Sequence, residues 1–246
     1  MKLTVLGKYG PFPQAGGACS GYLIETEQTK VVLDLGSGTL SNLIKLYPTL
    51  PIDAVFLSHL HSDHCSDMLV LRYALRQLHS RGISVPMPLS VVAPAEPSIV
   101  HGQLATSGVY DITTAKDGLK FNFTDMSITL HQMTHTVDSF CMVIRSAGKK
   151  FVYTGDTGYN DRLSHICSGA DVLLADTCFL SADKTTENAP HMTAAEAAKL
   201  ARNAGVGRLF CTHIWGGGYT DEQIVTEARR FFRNSFAIKE MGVYII

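Results

Sequence analysis

The chain has 246 residues, 46% of them apolar and 17% charged, with a formal net charge of −1. This composition excludes a disordered chain, which combines low hydrophobicity with high net charge. It also supplies no overall field for drawing in a polyanion, so a nucleic-acid partner would need a local basic patch and is not favoured.

The start, MKLTVLGKYG, has no apolar signal core and no small-residue cleavage site. No apolar run approaches the roughly 18 residues of a membrane span, so neither a signal peptide nor a membrane segment is expected. LTVLG predicts a strand, followed by the Gly- and Pro-rich loop KYGPFPQAGGACS. GYLIET and KVVLDLG predict two more strands around a polar turn at Glu27–Thr29. GSGTLSNLIKLYP turns into a short helix that stops before Pro48. IDAVFLS predicts a buried strand. Leu71, Leu75 and Leu78 give helical spacing to MLVLRYALRQLHSRG, with Gly82 as its stop.

PLSVVAP is the next predicted strand, and the mixed stretch from Glu96 to Lys120 yields no assignment. KFNFTDMSITLHQMTH alternates and predicts paired strands. SFCMVIRSAGKKFVYTGD predicts a hairpin turning at Gly148. ADVLLADT is a strand. TAAEAAKLARNAG is a helix opened by a Thr193/Glu196 capping box and closed by Gly205. RLFCTHI predicts a strand, WGGGYT a loop, DEQIVTEARRFFRN a helix and GVYII a last strand. With no repeat, low-complexity segment or linker in view, residues 1–246 are read as one α/β domain whose sheets are covered by helices.

The six cysteines contain no Cys-x-x-Cys pair, and a chain of this size folds without disulfides. A reduced, cytoplasmic setting is expected. Cys65, beside His64, reads as a small buried thiol rather than a metal ligand.

The ten histidines are more informative. His59, His61, His64, His135 and His213 each follow a strand-like run. Asp63 sits within FLSHLHSDHCSD, and Asp156 ends FVYTGD. Strand ends on one side of a sheet are where α/β folds gather their sites. Seven nitrogen and oxygen donors suffice for two divalent ions with positions left open, and a set without thiolates suits Zn²⁺, with Mn²⁺ or Fe as alternatives. His131 rivals His135, since strand alternation puts both on similar faces. His79, His101 and His165 are expected at the surface or satisfied in place. Trp215 and Tyr219, in the glycine loop, could stack on a base or ring, although ordinary loop packing is the favoured reading.

These residues resemble the metallo-β-lactamase fold superfamily, marked by His-x-His-x-Asp-His and then a distant His, Asp and His. VVLDLGSG with Asp34 adds to the likeness, which spans nearly the whole chain. The resemblance implies a four-layer αββα sandwich with a dinuclear site between its sheets. It implies one metal on His59, His61 and His135, a second on Asp63, His64 and His213, and Asp156 between them.

Within the superfamily the chain resembles the ribonuclease Z-like branch through PHMTAAEAAKLARNAGVGRLFCTHI. That likeness implies a catalytic His191, oriented by Asp176 where the branch has a longer Glu. Dimers are common in the branch, so a homodimer is the implied assembly. Two departures stand out: Asp67 occupies a usual Gly position, and the short stretch from His135 to Asp156 leaves out the long flexible arm with which ribonuclease Z enzymes grip tRNA.

Two metals about 3.5–4 Å apart can hold a hydroxide between them and neutralise the oxygens of an in-line displacement. Asp63 would orient or deprotonate the water, and His191 would stabilise phosphoryl oxygens or protonate the leaving alkoxide. The expected activity is hydrolysis of a small or nucleotide-derived phosphodiester. A lactonase or thioesterase on the same fold, an RNA 3′-processing endonuclease, and a metal-binding regulatory protein are the alternatives.

Overall fold

The N-terminal apolar runs pair antiparallel in the computed structural model, which describes residues 1–106, 108–186 and 189–246. β1 (Lys2–Gly7), β2 (Tyr9–Gly10), β3 (Gly21–Glu25) and β4 (Lys30–Leu35) come first. β1 pairs with β3 and β3 with β4, while β2 stands aside. The chain then alternates: α1 (Thr39–Leu46), β5 (Ala54–Phe56), the one-turn α2 (Ser62–Cys65), α3 (Met68–Ser80), β6 (Leu89–Ala93), α4 (Ser98–Ala105) and β7 (Tyr110–Thr114). β4 to β7 run parallel.

The rest of the chain repeats this plan. β8 (Lys120–Asn122), β9 (Ser127–Met133), β10 (Ser139–Ser146) and β11 (Lys149–Tyr153) pair antiparallel. Then come α5 (Arg162–Cys167), β12 (Val172–Asp176), α6 (Ala194–Asn203), β13 (Arg208–Thr212), β14 (Ile214–Trp215), α7 (Asp221–Arg229), β15 (Ser235–Ala237) and β16 (Val243–Ile245). β11, β12, β13 and β15 are parallel.

The first sheet has the order β16-β1-β3-β4-β5-β6-β7 and the second β15-β13-β12-β11-β10-β9-β8. Read from β16 and from β8, each sheet makes antiparallel pairings first and parallel pairings after. A structural repeat is therefore present although the sequence shows none. β2 and β14 form a separate parallel pair between the two halves.

Three apolar cores define four layers. Leu3, Tyr22, Phe56, Phe140, Phe151 and Phe210 belong to the core between the sheets. Leu43, Leu71, Leu75 and Leu104 seal α1, α3 and α4 onto the first sheet. Leu163, Ala197, Ala198, Leu200 and Ile224 seal α5, α6 and α7 onto the second. Full burial of one such leucine or phenylalanine is worth about 1.5–3 kcal/mol. Cores of this extent can offset a buried polar cluster that costs several kcal/mol per ion.

Local signals explain most boundaries. The Thr193/Glu196 capping box forms both of its hydrogen bonds, and Thr220/Gln223 makes a second that opens α7. Gly82 and Gly205, both at positive φ, follow α3 and α6 as expected. Several features depart from expectation, the short strands β2 and β15 among them. α4 and β7 occupy the unassigned stretch, and α5 was not anticipated. α7 ends at Arg229 because the chain must turn into β15, which pairs with β13. α2 forms inside the histidine cluster. No helix among the described residues is long and apolar enough to cross a membrane.

Candidate metal centre

Two residues in the left-handed region frame the site. Asp34 has φ 56° and His213 φ 54°. Such backbone is costly for a residue with a Cβ and persists where the surroundings enforce it. Asp34 is the extra residue of a β-bulge, since Gly21 pairs with Leu35 and Tyr22 with Leu33. The bulge aims its carboxylate at the loop after β5.

Asp34 accepts four hydrogen bonds there. Ser58 donates its backbone N–H at 2.6 Å and its hydroxyl at 2.7 Å, Tyr153 its hydroxyl at 2.6 Å, and His64 its Nδ1–H at 2.8 Å. The Ser58 oxygen in turn lies 3.0 Å from His59 Nδ1, which donates to it. His135 Nδ1 donates to the Pro190 carbonyl at 3.0 Å, and His191 Nδ1 to Asp176 Oδ2 at 2.9 Å. For His64, His59 and His135 each bond fixes a tautomer and leaves the Nε2 of that ring for other use, while for His191 the Asp176 carboxylate favours the charged ring.

Those free nitrogens converge. His59 Nε2 lies 3.0 Å and His135 Nε2 3.2 Å from His61 Nδ1. Beside this group, Asp156 Oδ2 lies 3.1 Å from His213 Nε2, 3.3 Å from His64 Nε2 and 3.7 Å from His59 Nε2. Asp63 Oδ2 is 3.2 Å from His213 Nε2 and 3.5 Å from His64 Nε2. The donors thus form two clusters, His59–His61–His135 and Asp63–His64–Asp156–His213. All seven residues expected as ligands are brought together. His131 lies outside both, beside Asp117 and Arg162.

The charge balance follows from burial. Burial pushes the His59, His61 and His135 imidazoles to lower pKa, so they stand as neutral donors. Burial pushes the Asp63 carboxyl up, but the His64 and His213 rings outweigh it and the net shift is downward. Asp156 shifts the same way: burial is outweighed by His213, His64 and His59. For His191, burial opposes the charged form, yet the Asp176 carboxylate prevails and raises its pKa to about 9.

The donor set fits divalent ions. Two ligands of a tetrahedral zinc at about 2.0–2.1 Å stand about 3.3 Å apart, close to the nitrogen and oxygen spacings above. His64 Nε2 and Asp156 Oδ1 are buried with no hydrogen-bond partner, and polar atoms are seldom left so. The His59, His61 and His135 nitrogens converge on one point, and the protons of His59 and His135 are committed to Ser58 and Pro190. Asp34, Asp63, Asp156 and Asp176 are buried carboxylates within one region, and such a group calls for positive charge.

His191 stands at the edge, its side chain 17% exposed. Asp176, at the end of β12, reaches it despite being shorter than the Glu of the resembling branch. Asp176 also accepts the backbone N–H groups of Thr157 and Cys178, which hold the carboxylate in place. Phe179 packs edge-on against the His191 ring. Cys65 is buried in the apolar core under α2 and α3, as expected. Trp215 and Tyr219 pack edge to face at 5.3 Å.

Ser58, Tyr153 and Gly10 escaped sequence reasoning. A Cβ on Gly10 would fall 1.9 Å from His213 Nε2, so only glycine allows β2 to cross that ring. A glycine beside a predicted loop aromatic was the one available signal, and it is weak.

The comparisons agree with this architecture. Residues 16–214 match the family model described as "Beta-lactamase superfamily domain". The chain belongs to the beta-lactamase superfamily. Among its relatives is the probable metallo-hydrolase YhfI of Bacillus subtilis (strain 168), 31% identical over 98% of both chains. The crystal structure of that protein superposes with a TM-score of 0.92 at 29% identity, covering 99% of this chain and 98% of the other. A ribonuclease Z from Bradyrhizobium diazoefficiens is 26% identical over 95% of each chain. The short form of human tRNase Z shares the fold, with a TM-score of 0.68 at 18% identity, over 100% of this chain and 99% of that one.

Proposed function

We propose that this protein is a dinuclear metal-dependent hydrolase that cleaves a small or nucleotide-derived phosphodiester. The observation that carries this reading is the meeting of two donor clusters at Asp156, with the His191–Asp176 pair at their edge. We assign His59, His61 and His135 to one ion, Asp63, His64 and His213 to the other, and Asp156 to both. Zinc is our choice of metal, with manganese or iron as alternatives. Two such ions would supply Lewis acidity towards phosphoryl oxygens and a water acidified towards pH ~7.

The chain's own groups then take distinct roles. Asp63 is the most exposed of the clustered carboxylates and would accept a proton from water. Asp176 accepts from His191 Nδ1, so Nε2 faces the substrate side and can give a proton to the leaving alkoxide. Asp34 and Ser58 hold His64 and His59 in their ligating tautomers.

Likeness to a ribonuclease Z over nearly the full chain supports phosphodiester chemistry. The connection between β10 and β11 is a tight turn at Ala147–Gly148, both at positive φ, and carries no arm for gripping tRNA. That favours a small substrate over pre-tRNA. Buried, unpaired cysteines support a reduced, cytoplasmic setting, and we treat the chain as one domain.

The test is turnover by protein supplied with Zn²⁺ or Mn²⁺ on bis(p-nitrophenyl) phosphate, a lactone and a glutathione thioester. Diester hydrolysis is expected. Lactone or thioester turnover without diester turnover would overturn the reading in favour of a carbonyl hydrolase.

A further inference from the structure

Both donor clusters are divided between the sheets. His59, His61, Asp63 and His64 follow β5 in the first sheet, whereas His135, Asp156 and His213 follow β9, β11 and β13 in the second. The spacing of the sheets therefore sets the shape of each cluster. Apolar side chains fill that space but do not fix it, since dispersion contacts are non-directional. Hydrogen bonds between the sheets do carry direction.

Two buried tyrosines make such bonds in opposite senses. Tyr22 leaves β3 in the first sheet, and its hydroxyl meets the Thr212 hydroxyl of the second at 2.6 Å. Thr212 is the residue before His213, which takes the left-handed turn. Tyr153 ends β11 in the second sheet and donates to Asp34 of the first at 2.6 Å. Asp34 carries His64 directly and His59 through Ser58. The two rings lie 5.0 Å apart, tilted by 59°, and are fully buried. Each ring thus rises from one sheet and anchors the support of a ligand on the other.

We propose that Tyr22 and Tyr153 are positioning residues that lock the two halves of the metal centre in register. This rests on the dinuclear reading given above. Replacing either with Phe keeps the ring and its packing while removing the directional bond. Loss of Tyr153 takes one of four donors from Asp34; loss of Tyr22 frees the hydroxyl beside the His213 turn. Because both bonds hold the same joint, their effects should be coupled.

The experiment compares the parent protein with Tyr22→Phe, Tyr153→Phe, the double variant and Phe151→Leu. Phe151 lies in the same core, and its side chain has no hydrogen-bonding group. Zn²⁺ affinity is measured by competition with a chromophoric chelator, at a temperature where circular dichroism shows every variant folded. Melting temperatures are recorded separately, and the Co²⁺ absorption spectrum reports ligand geometry. The double variant should bind Zn²⁺ at least about tenfold more weakly, as supporting residues around metal ligands do, with an altered Co²⁺ spectrum. Phe151→Leu should lower the melting temperature and leave affinity within about threefold. Affinity within about threefold of parent in the double variant overturns the proposal, as does an equal loss in Phe151→Leu. A parent that binds no metal instead overturns the dinuclear reading itself.

Discussion

Asp67 Oδ2 accepts the backbone N–H of Leu40 at 2.8 Å. The residue that closes the ligand segment thereby caps α1, a helix whose own N-cap is Gly38 and lacks a side-chain acceptor. This accounts for an Asp where the superfamily resemblance implied Gly. The carboxylate serves α1 from a distance and stays outside the donor clusters.

Asp67→Ala should therefore cost about 1 kcal/mol, the usual worth of a helix cap. Asp67→Asn should restore most of it, because an amide oxygen can still accept. Urea denaturation reads the difference, and metal content should hold in both variants. A loss of metal from the alanine variant would mean that the residue shapes the ligand loop as well.

His191→Ala should lower kcat for a phosphodiester by roughly 100- to 10,000-fold, the range for a lost general acid. Metal content should stay near that of the parent, since His191 is held by Asp176. Kinetics and elemental analysis on one preparation separate the two roles. A variant that loses metal would make His191 a ligand.

Gly10→Ala places a methyl group 1.9 Å from His213 Nε2. Neither side can yield easily, because Gly10 is paired with Trp215 and His213 is in a constrained turn. Metal content should fall by about one ion per chain, with the His59–His61–His135 cluster left filled. Unchanged stoichiometry in that variant would count against His213 as a ligand.

Removing the ions should destabilise the fold. Ligands that bind only the native state add about 2.7 kcal/mol at a hundredfold excess over Kd, and the bare centre leaves buried carboxylates without cations. Calorimetry should show a lower melting temperature in chelator, recovered by Zn²⁺. Equal melting temperatures with and without the ions would speak against a buried metal centre.

The row from His59 to His64 was legible because its donors are neighbours in sequence, where chance is a poor explanation. The α6 capping box was legible because its spacing is fixed by helix geometry. α4 and β7 were not: α4 leaves Ile99 exposed and lacks an amphipathic stripe, and β7 is an edge strand of largely polar residues. Tyr22, Tyr153 and Ser58 were hidden for another reason. In sequence they are ordinary strand residues, and only the facing of the two sheets gives their hydroxyls a purpose. The structural repeat was invisible because strand pairing can be preserved while side chains diverge.

The division of the donors between sheets bears on how the protein is made. β16, the last strand, returns to pair with β1, the first. A chain that stops short of His213 holds the His59–His61–His135 donors but can form neither the finished first sheet nor the Asp63–His64–Asp156–His213 cluster. The second cluster therefore waits until β13 has joined β12 and brought His213 to Asp63 and Asp156.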